Sequence, residues 1–136
     1  MPLKSNDNGA IDRTRLAAWA VKEEKVSVVA ATDEATTQSA ATLAGAANTI
    51  YTMTPSAARA LTTPTGAQLG AAFTDEVVGS SFRFSVVNLA AETHAITLTA
   101  GASGVTLVGS AVVAAASSAS FVAVFTAADA VSIYRV

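Results

Sequence analysis

The sequence predicts an all-β chain, an antiparallel β-sandwich or jelly roll with one short helix, preceded by an extended or partly helical N-terminal arm. Three observations predict it. Short runs rich in Val, Ile, Thr and Phe recur through residues 48–136, divided by Gly, Ser, Asn and Pro, the rhythm of strands and tight turns in two-layer β folds. The run HAITLTA at 94–100 alternates strictly, with Ile96 and Leu98 on one side and Thr97 and Thr99 on the other, as a strand does when one face meets a core and the other meets water. Charge is the third: residues 1–34 hold 11 of the 18 charged side chains and the next 102 residues hold 7. That asymmetry sets an arm with its linker (1–47) against a body (48–136).

In the arm, Asp12 caps a helix expected through RTRLAAWAVKEEK, with Leu16, Trp19 and Ala20 on one face and Glu23, Glu24 and Lys25 at its end. So narrow a stripe needs a partner surface, because short isolated helices are marginal in water. The Thr/Ser/Ala/Gly stretch at 31–48 reads as a linker or extended arm. Strands are expected at 48–54, 58–63, 81–88, 94–100, 104–113, 118–127 and 130–136. The short helix falls in TPTGAQLGAAF, with Thr63 as its cap and Pro64 at its first position. In GASGVTLVGS the glycines read as turn residues.

The strand at 118–127 is unusual because Phe121, Ala123 and Phe125 lie on one face and Val122 and Val124 on the other. A strand apolar on both faces needs a cover on its outer side, since monomers seldom expose large apolar patches. With charged residues at only 13% of the chain, about half the usual share, little opposes self-association. A homo-oligomer is therefore expected, with Phe121, Val122, Val124 and Phe125 as candidate interface residues.

Composition also narrows the chemistry. A net charge of -2 supplies no basic field for phosphates, so nucleic acid is not an expected partner. The polar N-terminus lacks an apolar signal stretch, and the most apolar run, 105–128, is broken throughout by Gly, Ser and Thr, so no membrane partner is expected either. The sole histidine, His94, has no nucleophile-elbow motif to serve and reads as a solvent-facing or turn residue. The carboxylate pairs Glu23–Glu24, Asp33–Glu34 and Asp75–Glu76 are sequence neighbours, which diverge on a helix and oppose on a strand. No Cys, no metal-ligand spacing and no phosphate-loop lysine are present, and exposed aromatics for a sugar platform are scarce. Neither enzymatic activity nor a metal or cofactor is expected.

The blocks of the C-terminal half carry a resemblance. Pro64 with Gln68 and Leu69, GSSFRFSVVN from Gly79 to Asn88, ITLTAG with GVTLVGS between Ile96 and Ser110, the SSASF turn and the closing VSIYRV together resemble head decoration (cement) proteins of tailed bacteriophages and related small head or tail fibre modules. The likeness spans roughly residues 60–136 and omits the N-terminal third. It implies a β-sandwich or jelly-roll body, a homotrimer, and attachment to the major capsid protein on the outside of the virion shell. The arm, with Arg13, Arg15, Leu16, Trp19, Lys22 and Lys25, is then the candidate capsid-binding element. The alternative within the same likeness is a fibre or spike module that binds a host receptor or glycan.

Overall fold

The computed structural model describes residues 25–74 and 76–136. Among these residues ten strands form two sheets. The larger has the order β1 (Val26–Ala30), β3 (Asn48–Met53), β5 (Ser81–Asn88), β9 (Ser117–Ala127), β10 (Ala130–Arg135) and β7 (Val105–Val108). The smaller has the order β2 (Thr36–Thr37), β4 (Arg59–Thr62), β6 (Ile96–Thr99) and β8 (Val112–Val113). From β1 to β8 the chain alternates between the sheets, one strand in each. From β1 to β6 a strand thus reaches its neighbour in the same sheet only after an excursion through the other sheet, and it returns running the same way.

This winding corrects the antiparallel expectation: both sheets are mixed. Pairs β1–β3, β3–β5, β2–β4, β4–β6 and β7–β10 are parallel. Only β5–β9, β9–β10 and β6–β8 are antiparallel. The expected single strand at 104–113 is two, because the chain leaves the large sheet at Gly109 (φ 95°) and joins the small one at Val112. That positive φ is one that non-glycine residues rarely adopt.

Among the described residues two short helices flank the sheets. Helix α1 (Ala40–Ala44) lies in the stretch expected to be linker; the Ser39 side chain accepts from the Thr42 N–H at 3.3 Å, and the Gly45 N–H closes the last turn on Ala41 and Thr42. Leu43, 1% exposed, enters the core. Strands β1 and β2 and helix α1 therefore pair and pack with the strands that follow them. Helix α2 (Gly66–Ala72) occupies the expected place but is capped by Thr65, not Thr63: Thr65 Oγ1 accepts from the Gln68 N–H at 3.2 Å, and Gln68 Oε1 accepts from the Thr65 N–H at 2.9 Å. The reciprocal box satisfies two donors at the N-terminus, whereas Thr63 is buried and accepts from the Gly101 N–H instead.

One apolar cluster joins both sheets and both helices. Leu61, Ile96, Leu98 and Val113 of the small sheet share it with Tyr51, Met53, Phe84, Val86, Phe121, Phe125, Val131 and Ile133 of the large one, and with Leu43 and Leu69. All five phenylalanines of the chain meet here: Phe84 stacks on Phe121 at 5.1 Å, Phe73 on Phe82 at 4.7 Å, and Phe125 lies against both members of the second pair. Asn88, 2% exposed, ties the layers by polar bonds. Its Nδ2 donates to the carbonyls of His94 (2.8 Å) and Val113 (3.0 Å), and its Oδ1 accepts from the Ala90 N–H. A buried amide with these groups paired avoids the penalty of an orphaned polar atom.

Candidate functional site

The parity of β9 separates its two faces. Residues 119, 121, 123 and 125 are buried, while Val122 and Val124 are half-buried on the opposite side. Phe121 and Phe125, expected at an oligomer interface, lie in the core at 2% and 1% exposure and are not available to a partner. Val122 and Val124 do reach the outer face.

Cross-strand register builds that face row by row, because directly paired residues project to the same side. One row reads Val26, Asn48, Arg83, Val122, Tyr134, Val108 from edge to edge. The next reads Val28, Ile50, Ser85, Ser120, and the third reads Ala30, Thr52, Val87, Ser118. On the other side of the first row stand Ser81, Val124, Ser132 and Thr106. Of these eighteen residues only Arg83 is charged. Ser85 and Ser120 bond to each other at 3.2 Å, so even the polar positions partly satisfy themselves.

Six strands spaced ~4.8 Å apart and four rows roughly 6.7 Å apart give a face of about 24 by 20 Å. That is close to the largest patches of ordinary monomers, roughly 300–600 Å², and somewhat below the ~800 Å² each partner buries in a standard interface. Val28 is 66% exposed, Val26 52%, Val108 45% and Tyr134 40%. At the rim, β1 pairs only with β3 among the described residues. Lys25 C=O and Ala31 N–H both bond toward β3, so by alternation Val26, Val28 and Ala30 turn their backbone groups outward, an edge that no described residue pairs with.

Of the expected capsid-binding residues, Arg13, Arg15, Leu16, Trp19 and Lys22 lie outside the described residues, and Lys25 is exposed at the head of β1. Tyr134, Val28, Ile50 and Val87 belong to the face and were not singled out in the sequence. The alternation in VSVVA and VSIYR was the available signal.

Among the described residues the other candidate groups do not converge on one point, and Glu23, Glu24 and Asp75 lie outside them. His94 lies between the bend at 91–93 and β6, its carbonyl held by Asn88. Asp33 serves a local clamp: its carboxylate accepts from Arg59 Nε at 2.7 Å and from the Ser56 N–H at 3.1 Å, and also from the Ser56 hydroxyl. The Arg59 bond first, then the Ser56 bonds, hold this carboxyl well below its ordinary value of 3.8. Among the described residues no three His, Cys, Asp or Glu side chains gather as a metal site, and no helix is long and apolar enough to cross a membrane. Compared with protein-family models, with curated proteins and with solved structures, the chain finds no match in any of the three.

Proposed function

We propose that the chain is a non-enzymatic structural protein of a phage virion that binds the outer capsid surface as a homo-oligomer, a trimer by its resemblance, and stabilises the shell. The observation that carries the reading is the wide, almost uncharged outer face of the six-stranded sheet, a surface suited to association. Two sheets around one shared core also support the finer fold reading, a β-sandwich related to the jelly-roll bodies of that family.

Its mechanism is linkage. A ligand that binds only the assembled shell stabilises it by RT ln(1 + [L]/Kd), about 2.7 kcal/mol at a hundredfold excess over Kd. An oligomer that contacts several capsid subunits at once adds avidity. In this division of labour the outer face joins the copies and the charged arm meets the major capsid protein. The test is cosedimentation of the full chain with shells that lack it. Retention and a raised shell melting temperature are expected, and a variant carrying Arg13→Glu and Arg15→Glu should lose both. Undiminished retention of that variant would refute the role given to the arm, and failure of the wild-type chain to sediment with any shell would refute the reading itself.

A further inference from the structure

At one end of the large sheet a pocket of about 440 Å³ lies between the α1–β3 connection, the start of β5 and the end of α2. Its apolar wall is made by Ala44, Ala46, Ala47, Phe73 and Phe82, the two rings stacked at 4.7 Å. The rest of the lining is polar, with Arg83 the one charge. The loop that joins the lining residues Phe73 and Ser81 carries Val77 and Val78, 68% and 73% exposed.

The first described residue stands at the rim of this pocket. Lys25 C=O accepts from the N–H of the lining residue Ala47 at 2.9 Å. Val26, Asn48 and Arg83 lie side by side in register near the starts of β1, β3 and β5. The chain that precedes Lys25 therefore sets out from beside the pocket.

We infer that residues 16–24 dock on the body of their own chain, with the Trp19 ring seated in this pocket and Glu23 and Glu24 beside Arg83. Trp19 stands six residues before Lys25, about 9 Å along a helix and up to about 20 Å in extended chain, so it reaches the pocket in either conformation. It is the sole aromatic residue of 1–24, and an indole, with an apolar body and one N–H, suits a wall of stacked rings and methyl groups beside polar ones. Charge matches as well: the acidic pair Glu23–Glu24 directly precedes the point of exit, and the pocket's one charge is a cation. The narrow stripe of Leu16, Trp19 and Ala20, which needs a partner surface, then finds one within its own chain. This docking goes beyond the shell-binding reading and stands without it; where both hold, Trp19 anchors the arm to the body, and Arg13 and Arg15 are left for the shell.

The test is fluorescence of the full chain, in which Trp19 is the sole tryptophan. Emission shifted to the blue of the urea-unfolded chain, and weaker quenching by acrylamide, are expected. Arg83→Glu, at an exposed position, should lower the ratio of docked to free arm about fivefold, read as stronger quenching. Adding Glu23→Arg and Glu24→Arg to that variant should restore the protection. Nuclear Overhauser contacts from the Trp19 indole to the methyls of Ala44 and Ala47 locate the ring, and they should keep their intensity when labelled chains are mixed with unlabelled ones before assembly. Emission and quenching equal to those of the unfolded chain, a protected indole without these contacts, or no response to Arg83→Glu overturns the inference. Contacts that weaken on mixing overturn it too, since the ring would then belong to a neighbouring copy. Cosedimentation with shells is a separate measurement, so the two readings fail independently.

Discussion

Asp33 shows how one exposed carboxylate organises a segment that its neighbours alone do not specify. Between two strands made of Val, Ala and Thr, it gathers a backbone N–H, a hydroxyl and a guanidinium from the β3–β4 connection. The same bonds lower its affinity for protons, which makes the clamp a pH-dependent contribution. Because the folded-state value is depressed, the contribution is complete above the unfolded value near 3.8 and is lost as pH falls below it toward the folded-state value. Asp33→Asn should therefore be less stable than wild type at neutral pH, and the gap should hold down to about pH 4 and then narrow by about pH 2. Urea unfolding midpoints across that range check this. A gap that stays constant on acidification would mean that the charge is not what holds the segment. Solvent screening keeps the effect modest.

At the scale of elements, the sequence was legible where a local pattern decides the outcome and silent where distant chain decides it. HAITLTA became β6 with its predicted faces, because alternation of Ile96 and Leu98 with threonines admits one orientation on a core. The helix after Pro64 was legible in its turn residues, though its cap lies two residues further on, where Gln68 can reciprocate. By contrast, α1 and β2 sit in an Ala/Thr/Ser run whose one large apolar side chain, Leu43, makes no period to read. Nor does any single segment encode that successive strands lie in different sheets, and the parallel pairs among β1 to β6 go with that alternation. The junction of α2 with the β9–β10 turn was hidden for the same reason. Gly66 there packs so closely that a Cβ would stand 2.0 Å from the Asp129 carbonyl oxygen and 2.8 Å from that of Gly104. Gly66→Ala should cost about 2–3 kcal/mol through backbone displacement, more than the gain of up to about 1 kcal/mol in helix propensity can offset. Gly79→Ala is the control: at φ 96° with nothing within 4 Å, it should cost only about 1–2 kcal/mol. Denaturant unfolding of both variants tests the difference, and a Gly66→Ala midpoint at or above that of Gly79→Ala would count against the close approach.

For the whole molecule, the decisive contrast is between the two faces of one strand. β9 places Phe121 and Phe125 in the core and Val122 and Val124 on the outer sheet face. The doubly apolar pattern of the strand was readable, but which face met the core depended on strands β5 and β10 that flank it. The two faces should respond to substitution in opposite ways. Phe121→Ala removes a ring stacked on Phe84 at 5.1 Å and should lower stability by about 3–5 kcal/mol. The pair Val122→Asp and Val124→Asp adds two charges to a face that carries one, while each side chain keeps access to water in the single chain. It should change the unfolding midpoint of the isolated chain little, yet separate the copies, since burying unpaired carboxylates at an interface is strongly unfavourable. Size-exclusion chromatography with light scattering reads the second effect: an oligomer for wild type and a monomer for the double variant, both with the same far-ultraviolet circular dichroism. A wild-type monomer at micromolar concentration, or an oligomer that survives both aspartates, would remove the outer face from the mechanism and leave attachment to the arm alone. Should the predicted split appear, a charge-poor surface is what unites the copies.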